Sequence, residues 1–222
     1  MTKKPIAKII TSILSFGTLA LATPAFAIEP EQLSIRAGTL GAGAEVGFEL
    51  APTLVLRGVY NNFDYDYKKN VDGISYDGTL ALGSFGAQLD FHPPVTPFYI
   101  TAGMYKNDNN INLNARQQGS YNIGGNTYSA AQIGTLNSRV SYGPTALYGG
   151  LGMELAAGPA ALVLEGGLFL QNDPSVRMSA TGPIGTNPAF LTDLNSEIAA
   201  QRDTFDKTKY WPAITVMARW KF

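Results

Sequence analysis

The chain ends on a strand whose two faces are chemically opposed. From Pro212, alternate residues read Pro212, Ile214, Val216, Ala218, Trp220 and Phe222 on one side, and Ala213, Thr215, Met217, Arg219 and Lys221 on the other. Side chains alternate across a strand, so one face is apolar and the other is mixed and positively charged. The apolar face runs to the last residue, where a soluble sheet would rarely leave it uncovered and where lipid would require it bare. Trp211 and Trp220 are separated by about 23 Å at strand rise and ~40° tilt, close to the ~25 Å apolar band of a membrane barrel with an aromatic girdle at each edge.

The start of the chain reads as an export signal. Lys3, Lys4 and Lys8 precede a mostly apolar run from Ile9 to Ala22, and Ala25-Phe26-Ala27 is a small-x-small cleavage site. Residues 1–27 are therefore expected to be removed after Ala27, leaving a barrel of residues 28–222. The leader takes three of the 16 basic residues and none of the 17 acidic ones, so the mature chain is mildly acidic. That balance argues against a nucleic-acid partner. With no cysteine, disulfides, thiol catalysis and thiolate metal sites are excluded. No later stretch is apolar enough for a spanning helix. An exported chain with a lipid-facing strand then needs a closed barrel, because lipid tolerates no open sheet edge.

Alternation elsewhere supplies the other strands. Ala42, Ala44, Val46, Phe48 and Leu50 oppose Gly43, Glu45, Gly47 and Glu49; similar pairs of rows follow Pro52, end at His92, follow Pro97, and flank Pro159. The phase of Leu80 and Leu82 differs from that of Phe85 to Phe91, which predicts a bulge near Gly83. Three connections are short, around Pro52, Pro94 and Pro159. Three are long and polar, at 64–73, 107–138 and 181–208, and are expected outside the cell, with the short turns facing the periplasm. An even strand count requires one more outward turn, at Gly38-Thr-Leu-Gly41, with a short first strand near Leu33 to Ala37. Ser129-Ala-Ala-Gln132 fits a capped helical turn. Asn187-Pro188 opens a helix to about Asp206 with Phe190, Leu191, Leu194, Ile198 and Phe205 on one stripe. The fold expected is all-β: an eight-stranded antiparallel transmembrane β-barrel with one amphipathic helix in the last long loop, packed as a lid on the rim or free for a partner or lipid surface.

The signal, the eight-strand pattern and the terminal aromatic resemble the small outer-membrane barrels of the OmpA transmembrane, opacity-protein and OmpW type. The likeness rests on Ala37-Gly-Thr-Leu-Gly-Ala-Gly-Ala-Glu45, Leu89-Asp-Phe-His-Pro93 and Arg219-Trp-Lys-Phe222. It implies residence in the bacterial outer membrane, contact with its lipids, and use of the terminal strand, Trp220 and Phe222, as the signal read by the barrel-assembly machinery during insertion.

Chemistry is sparsely provided for. The single histidine, His92, lies in a turn with Asp90 two residues away and no serine beside it, so no catalytic residue is assigned. Asp64, Asp66, Asp72 and Asp77 crowd one loop but match no calcium spacing, and read as solvated charge. The glycine runs lie within strands and are not phosphate loops. No metal or cofactor is expected. Tyr60, Phe63, Tyr65, Tyr67, Tyr76, Tyr121 and Tyr128 are placed in the outer loops, as upper girdle or as a surface for extracellular contact.

With the apolar rows outward, the inward rows hold Glu45, Glu49, Arg57, Asp90, Glu154, Glu165, Arg219 and Lys221. An eight-stranded barrel is only wide enough for side chains to fill it, so these charges must pair. Glu45 and Arg57 are expected to meet across a hairpin, and Glu165 and Arg219 to lie at similar heights on the last two strands. The four together are expected to form one ion network plugging the lower barrel. The function expected is that of a non-enzymatic barrel with a structural or surface-exposed role. An OmpW-like passage for small apolar solutes, through inward Tyr99, Tyr105, Tyr148 and Phe169, is the alternative, and a lipid-modifying barrel enzyme is a third.

Overall fold

The computed structural model describes residues 29–71, 74–115 and 119–222; the signal segment and its cleavage site lie outside them. Thirteen strands are present among these residues: β1 (Gln32–Gly38), β2 (Gly41–Ala51), β3 (Leu54–Val71), β4 (Ile74–Phe91), β5 (Phe98–Asn107), β6 (Asn110–Ala115), β7 (Ser120–Ile123), β8 (Asn126–Ser129), β9 (Leu136–Ser141), β10 (Thr145–Ala157), β11 (Ala160–Gln171), β12 (Ser175–Ala180) and β13 (Tyr210–Lys221). Two helices join them, α1 (Ala130–Ile133) and α2 (Pro188–Asp206). No described helix is long and apolar enough to cross a membrane.

Eight strands close a ring in the order β1-β2-β3-β4-β5-β10-β11-β13, every pair antiparallel, with β13 returning to β1. Closure leaves no free edge at this level. The outward rows are those read from the alternation. Ile100, Met104, Leu151, Leu164, Leu168, Ile214 and Val216 form a belt whose side chains stay largely uncovered by protein. Tyr60, Phe85 and Tyr210 border it above, and Phe91, Phe98, Trp220 and Phe222 below. Tyr210, not Trp211, is the upper outward aromatic of β13. Trp220 is nine positions after Trp211, an odd step, so Trp211 takes the inward phase; it leans on the lumen cluster and its indole donates to the Thr39 carbonyl at 3.2 Å.

Above the ring the staves continue. β6 prolongs β5, β9 prolongs β10 and β12 prolongs β11, giving a five-stranded extension in the order β3-β4-β6-β9-β12. The segments 64–73 and 107–138, expected as loops, are thus largely strand. Above the apolar belt both faces can be polar, so β3 loses its alternating signature without losing its ladder with β4. The bulge expected near Gly83 is not in β4, whose register against β3 is unbroken. The irregularity lies opposite, between β5 and β6, where the Asp108 amide donates to the Gly83 carbonyl at 2.8 Å and Asn109 Oδ1 accepts from the Gly83 amide at 2.9 Å. Leu82 is buried and points inward in phase with Ser84.

That head core gathers Tyr121, Ile123, Ile133, Leu136, Phe190 and Leu194. Ser129 and Gln132 form the reciprocal capping box of α1. Asn187 Oδ1 accepts from the Ala189 and Phe190 amides at 2.9 and 3.3 Å, starting α2 with Pro188 in its first turn. The buried stripe of α2 is narrower than expected: Phe190 and Leu194 are buried, while Leu191 stays exposed. A four-residue step follows one line on the helix, and Leu191 lies off it. The Asp193 carboxylate accepts from the Tyr128 hydroxyl and from Asn126 Nδ2, the latter at 2.8 Å, tying the helix to the β7–β8 hairpin. Those bonds hold its pKa below the ordinary carboxylate value. Tyr121, expected at the surface, is buried in this core.

Candidate functional site

The lumen below the head is filled in layers, and the lowest is ionic. Arg57, on the inward row of β3, is completely buried at 0% exposure, although a bare guanidinium could not be. Its Nη1 donates to Glu45 Oε2 at 2.8 Å, its Nε lies 2.6 Å from Asp90 Oδ2, and its Nη2 lies 2.6 Å from Glu165 Oε2. Three strands thus converge on one cation. Glu45 in turn accepts from Arg219 Nη2 at 2.9 Å and from Arg36 Nη1 at 3.1 Å. Arg219 Nη1 reaches Glu154 Oε2 at 2.8 Å, and Glu154 is also paired with Lys221 at the lower mouth.

Four cations (Arg36, Arg57, Arg219, Lys221) therefore face four carboxylates (Glu45, Asp90, Glu154, Glu165). Remaining carboxylate lone pairs take neutral donors. The Tyr99 and Tyr148 hydroxyls reach Glu165 at 2.7 and 2.9 Å, and Ser34 reaches Glu45 at 3.0 Å. Bonds this short with one or both partners charged are the strong kind.

The aromatic members need room in a narrow tube, and glycine supplies it. Tyr99 lies across Gly152, where a Cβ would come within 2.0 Å of its ring, and Tyr105 lies across Gly86, at 2.6 Å. Tyr105, Tyr148 and Phe169 form an apolar layer above the ions with Leu40, Val59, Ala146 and Ala213. Tyr105 meets Phe169 edge to face at 5.3 Å. Above it lies an amide and hydroxyl layer: Asn61 donates to Ser84 at 3.0 Å, and Asn107 and Asn109 both donate to Gln171 Oε1, at 2.9 and 3.0 Å.

Of the four residues singled out by sequence, Glu45, Arg57, Glu165 and Arg219 are all buried and inward. Arg57 joins Glu45 to Glu165, and Glu45 joins Arg57 to Arg219. Glu165 and Arg219 are not level: Glu165 stands opposite Thr215, and Arg219 opposite Ala161. Neighbouring strands of a tilted barrel are staggered, so a similar distance from the turn does not give a similar height. Glu49 is exposed at the lower rim instead of inside. Arg36 and Ser34 are additional members; they share the inward phase of β1 with Gln32, opposite Leu33 and Ile35, so alternation alone could have assigned them.

His92 stacks on Tyr99 with ring centroids 4.8 Å apart, and its Nε2 is 3.9 Å from Asp90 Oδ2 with no hydrogen-bond partner among the described residues. Burial holds its pKa below the ordinary imidazole value, against the pull of Asp90. No group of three or more potential metal ligands occurs among the described residues. Of the acidic loop residues, Asp66 accepts from Thr79 at 2.7 Å, and Asp72 lies outside the described residues.

No protein-family model and no curated protein matches the chain. Its fold is similar to two solved structures from Acinetobacter baumannii. For CarO the TM-score is 0.60 at 21% identity, covering 87% of this chain and 98% of that one. For CarO2 the TM-score is 0.61 at 20% identity, with the same coverage. At such identity the likeness is one of fold: an eight-stranded closed barrel.

Proposed function

We propose that this protein is a non-enzymatic outer-membrane barrel whose lumen is plugged by its own side chains and whose exposed head carries its surface role. The observation that carries the reading is Arg57, wholly buried and held by carboxylates from three other staves. A cation so placed crosses the tube and occupies the cross-section that a solute would need. The uncovered belt from Ile100 to Ile214 suits hydrocarbon, and its aromatic borders suit the two interfaces. Export through the residue 1–27 leader and insertion through the Trp220–Phe222 terminus belong to the same reading.

A passage for small apolar solutes would need Tyr99, Tyr105, Tyr148 and Phe169 to line an open path. Tyr99 and Tyr148 are instead engaged on Glu165, and Tyr105 packs against Phe169. A hydrolytic enzyme would need His92 activating a nucleophile, and its free nitrogen has no such partner among the described residues.

The chain has no cysteine, which makes topology testable. Leu191→Cys on α2 should react with a membrane-impermeant maleimide on intact cells, and Val95→Cys in the β4–β5 turn only after permeabilisation. Labelling of Val95→Cys on intact cells, or recovery of the protein outside the outer-membrane fraction, would overturn the assignment.

A further inference from the structure

Two arginines on the outside of the head oppose each other. In the β9–β12 ladder, Arg139 and Arg177 are direct cross-strand partners, and both are exposed on the convex face. Like charges placed directly opposite weaken a sheet pair. Neither guanidinium has an acidic partner among the described residues. Their row continues through Asn112 and Thr79 to Asp66, three strands from Arg139, while Asp77, on the same face, is two strands and two residues away. At ~4.8 Å per strand and ~3.3 Å per residue these are about 14 and 12 Å, beyond a Debye length in physiological salt. The residues beside them in these strands, Asn137, Ser141, Ser175 and Ser179, are small and polar and leave the pair open.

The face they occupy is the upward continuation of the apolar belt. Leu170, opposite Tyr210 at the upper border, is the last outward aliphatic of β11, and Arg177 follows seven residues later on the prolonged stave. At strand rise and barrel tilt this puts the pair about 15–20 Å above the belt. Lys106, two residues past Met104 on the same row, sits at the belt's upper border but is already paired with Asp108 at 3.3 Å. The unpaired charge therefore lies above the level of a lipid's first headgroup.

We propose that Arg139 and Arg177 form a docking site for the phosphorylated inner-core sugar of an outer-leaflet glycolipid. Two forked guanidiniums on adjacent strands, ~5 Å apart at the backbone, can clamp one phosphate from two sides. The glycolipid acyl chains would lie along the belt below, so one molecule would meet both surfaces. This inference rests on the outer-membrane reading above.

The test uses the full mature chain in phosphatidylcholine vesicles containing either core-bearing lipopolysaccharide, the same glycolipid with its core phosphates removed, or lipid A alone. Glycolipid association is read by quantitative co-isolation at two salt concentrations. Wild type should retain the phosphorylated core form about tenfold better than the other two, with loss at high salt. The R139Q/R177Q variant should lose that preference while keeping heat-modifiable folding, and R139K/R177K should keep part of it. Equal retention of all three glycolipids by wild type, or an unchanged preference in R139Q/R177Q, would overturn the site. Failure of wild type to insert at all would instead overturn the outer-membrane reading.

Discussion

Replacing Arg57 by methionine removes the hub of the lumen ion network without opening a large void. The neighbours it leaves are not equally affected. Glu45 keeps Arg36, Arg219 and Ser34. Glu165 keeps the Tyr99 and Tyr148 hydroxyls and Arg36 at 3.9 Å. Among the described residues Asp90 keeps only the His92 imidazole at 3.9 Å, so it becomes an uncompensated buried charge. Breaking a buried pair from one side costs about 3–5 kcal/mol, and we expect Arg57→Met to fall in that range. Arg219→Met should cost less, about 2–3 kcal/mol, because Glu154 keeps Lys221 and Glu45 keeps Arg57. Adding Asp90→Asn to Arg57→Met should recover about 1–3 kcal/mol by neutralising the stranded group. Urea unfolding in phospholipid vesicles, followed by the fluorescence of Trp211 and Trp220, measures all of these. Arg57→Met costing no more than Arg219→Met, or Asp90→Asn bringing no recovery in its background, would show that Arg57 is not the hub of the network.

Gly152→Val should force Tyr99 off Glu165 and destabilise by about 1–3 kcal/mol, measured the same way, whereas the change should be tolerated if Tyr99 can move freely. The depressed pKa of Asp193 means its bonds to Tyr128 and Asn126 support the docked α2 above the ordinary carboxylate value and are lost as pH falls through the lower folded value. Hydrogen exchange in α2 should accordingly speed up at acid pH, and Tyr128→Phe should move that onset to higher pH. Deleting Phe222 should lower the heat-modifiable, assembled fraction in gels; unchanged assembly would count against the terminal signal.

Much of the barrel could be read from alternation because lipid, in the outer-membrane setting proposed, enforces it. Where hydrocarbon touches the outside and a packed lumen touches the inside, each residue's parity has a consequence, as in Ile214 against Thr215 or Leu164 against Glu165. The same logic placed Glu45, Arg57, Glu165 and Arg219 on inward rows. Parity says nothing about height, which is why Glu165 and Arg219 were expected level and are four residues apart in register. Above the belt water wets the outside and the rule lapses. The Asp64-Tyr65-Asp66-Tyr67 run looks like a loop in sequence yet continues β3, held by its pairing with β4. Leu82 turns inward there, and the head has its own apolar core, assembled from segments as distant as Tyr121 and Phe190, which no local pattern joins. Arg36 is hard to read in the sequence for another reason. Its strand spans only seven residues, too few for the alternation to stand out by itself.

Single-molecule conductance across a planar bilayer distinguishes the proposed lumen closed by ion pairs from an open one. Purified wild-type protein, inserted and verified as folded, should give no large steady current at moderate voltage in 1 M salt. A stable, voltage-independent pore conducting in every inserted wild-type molecule would contradict the plug and make the protein a channel.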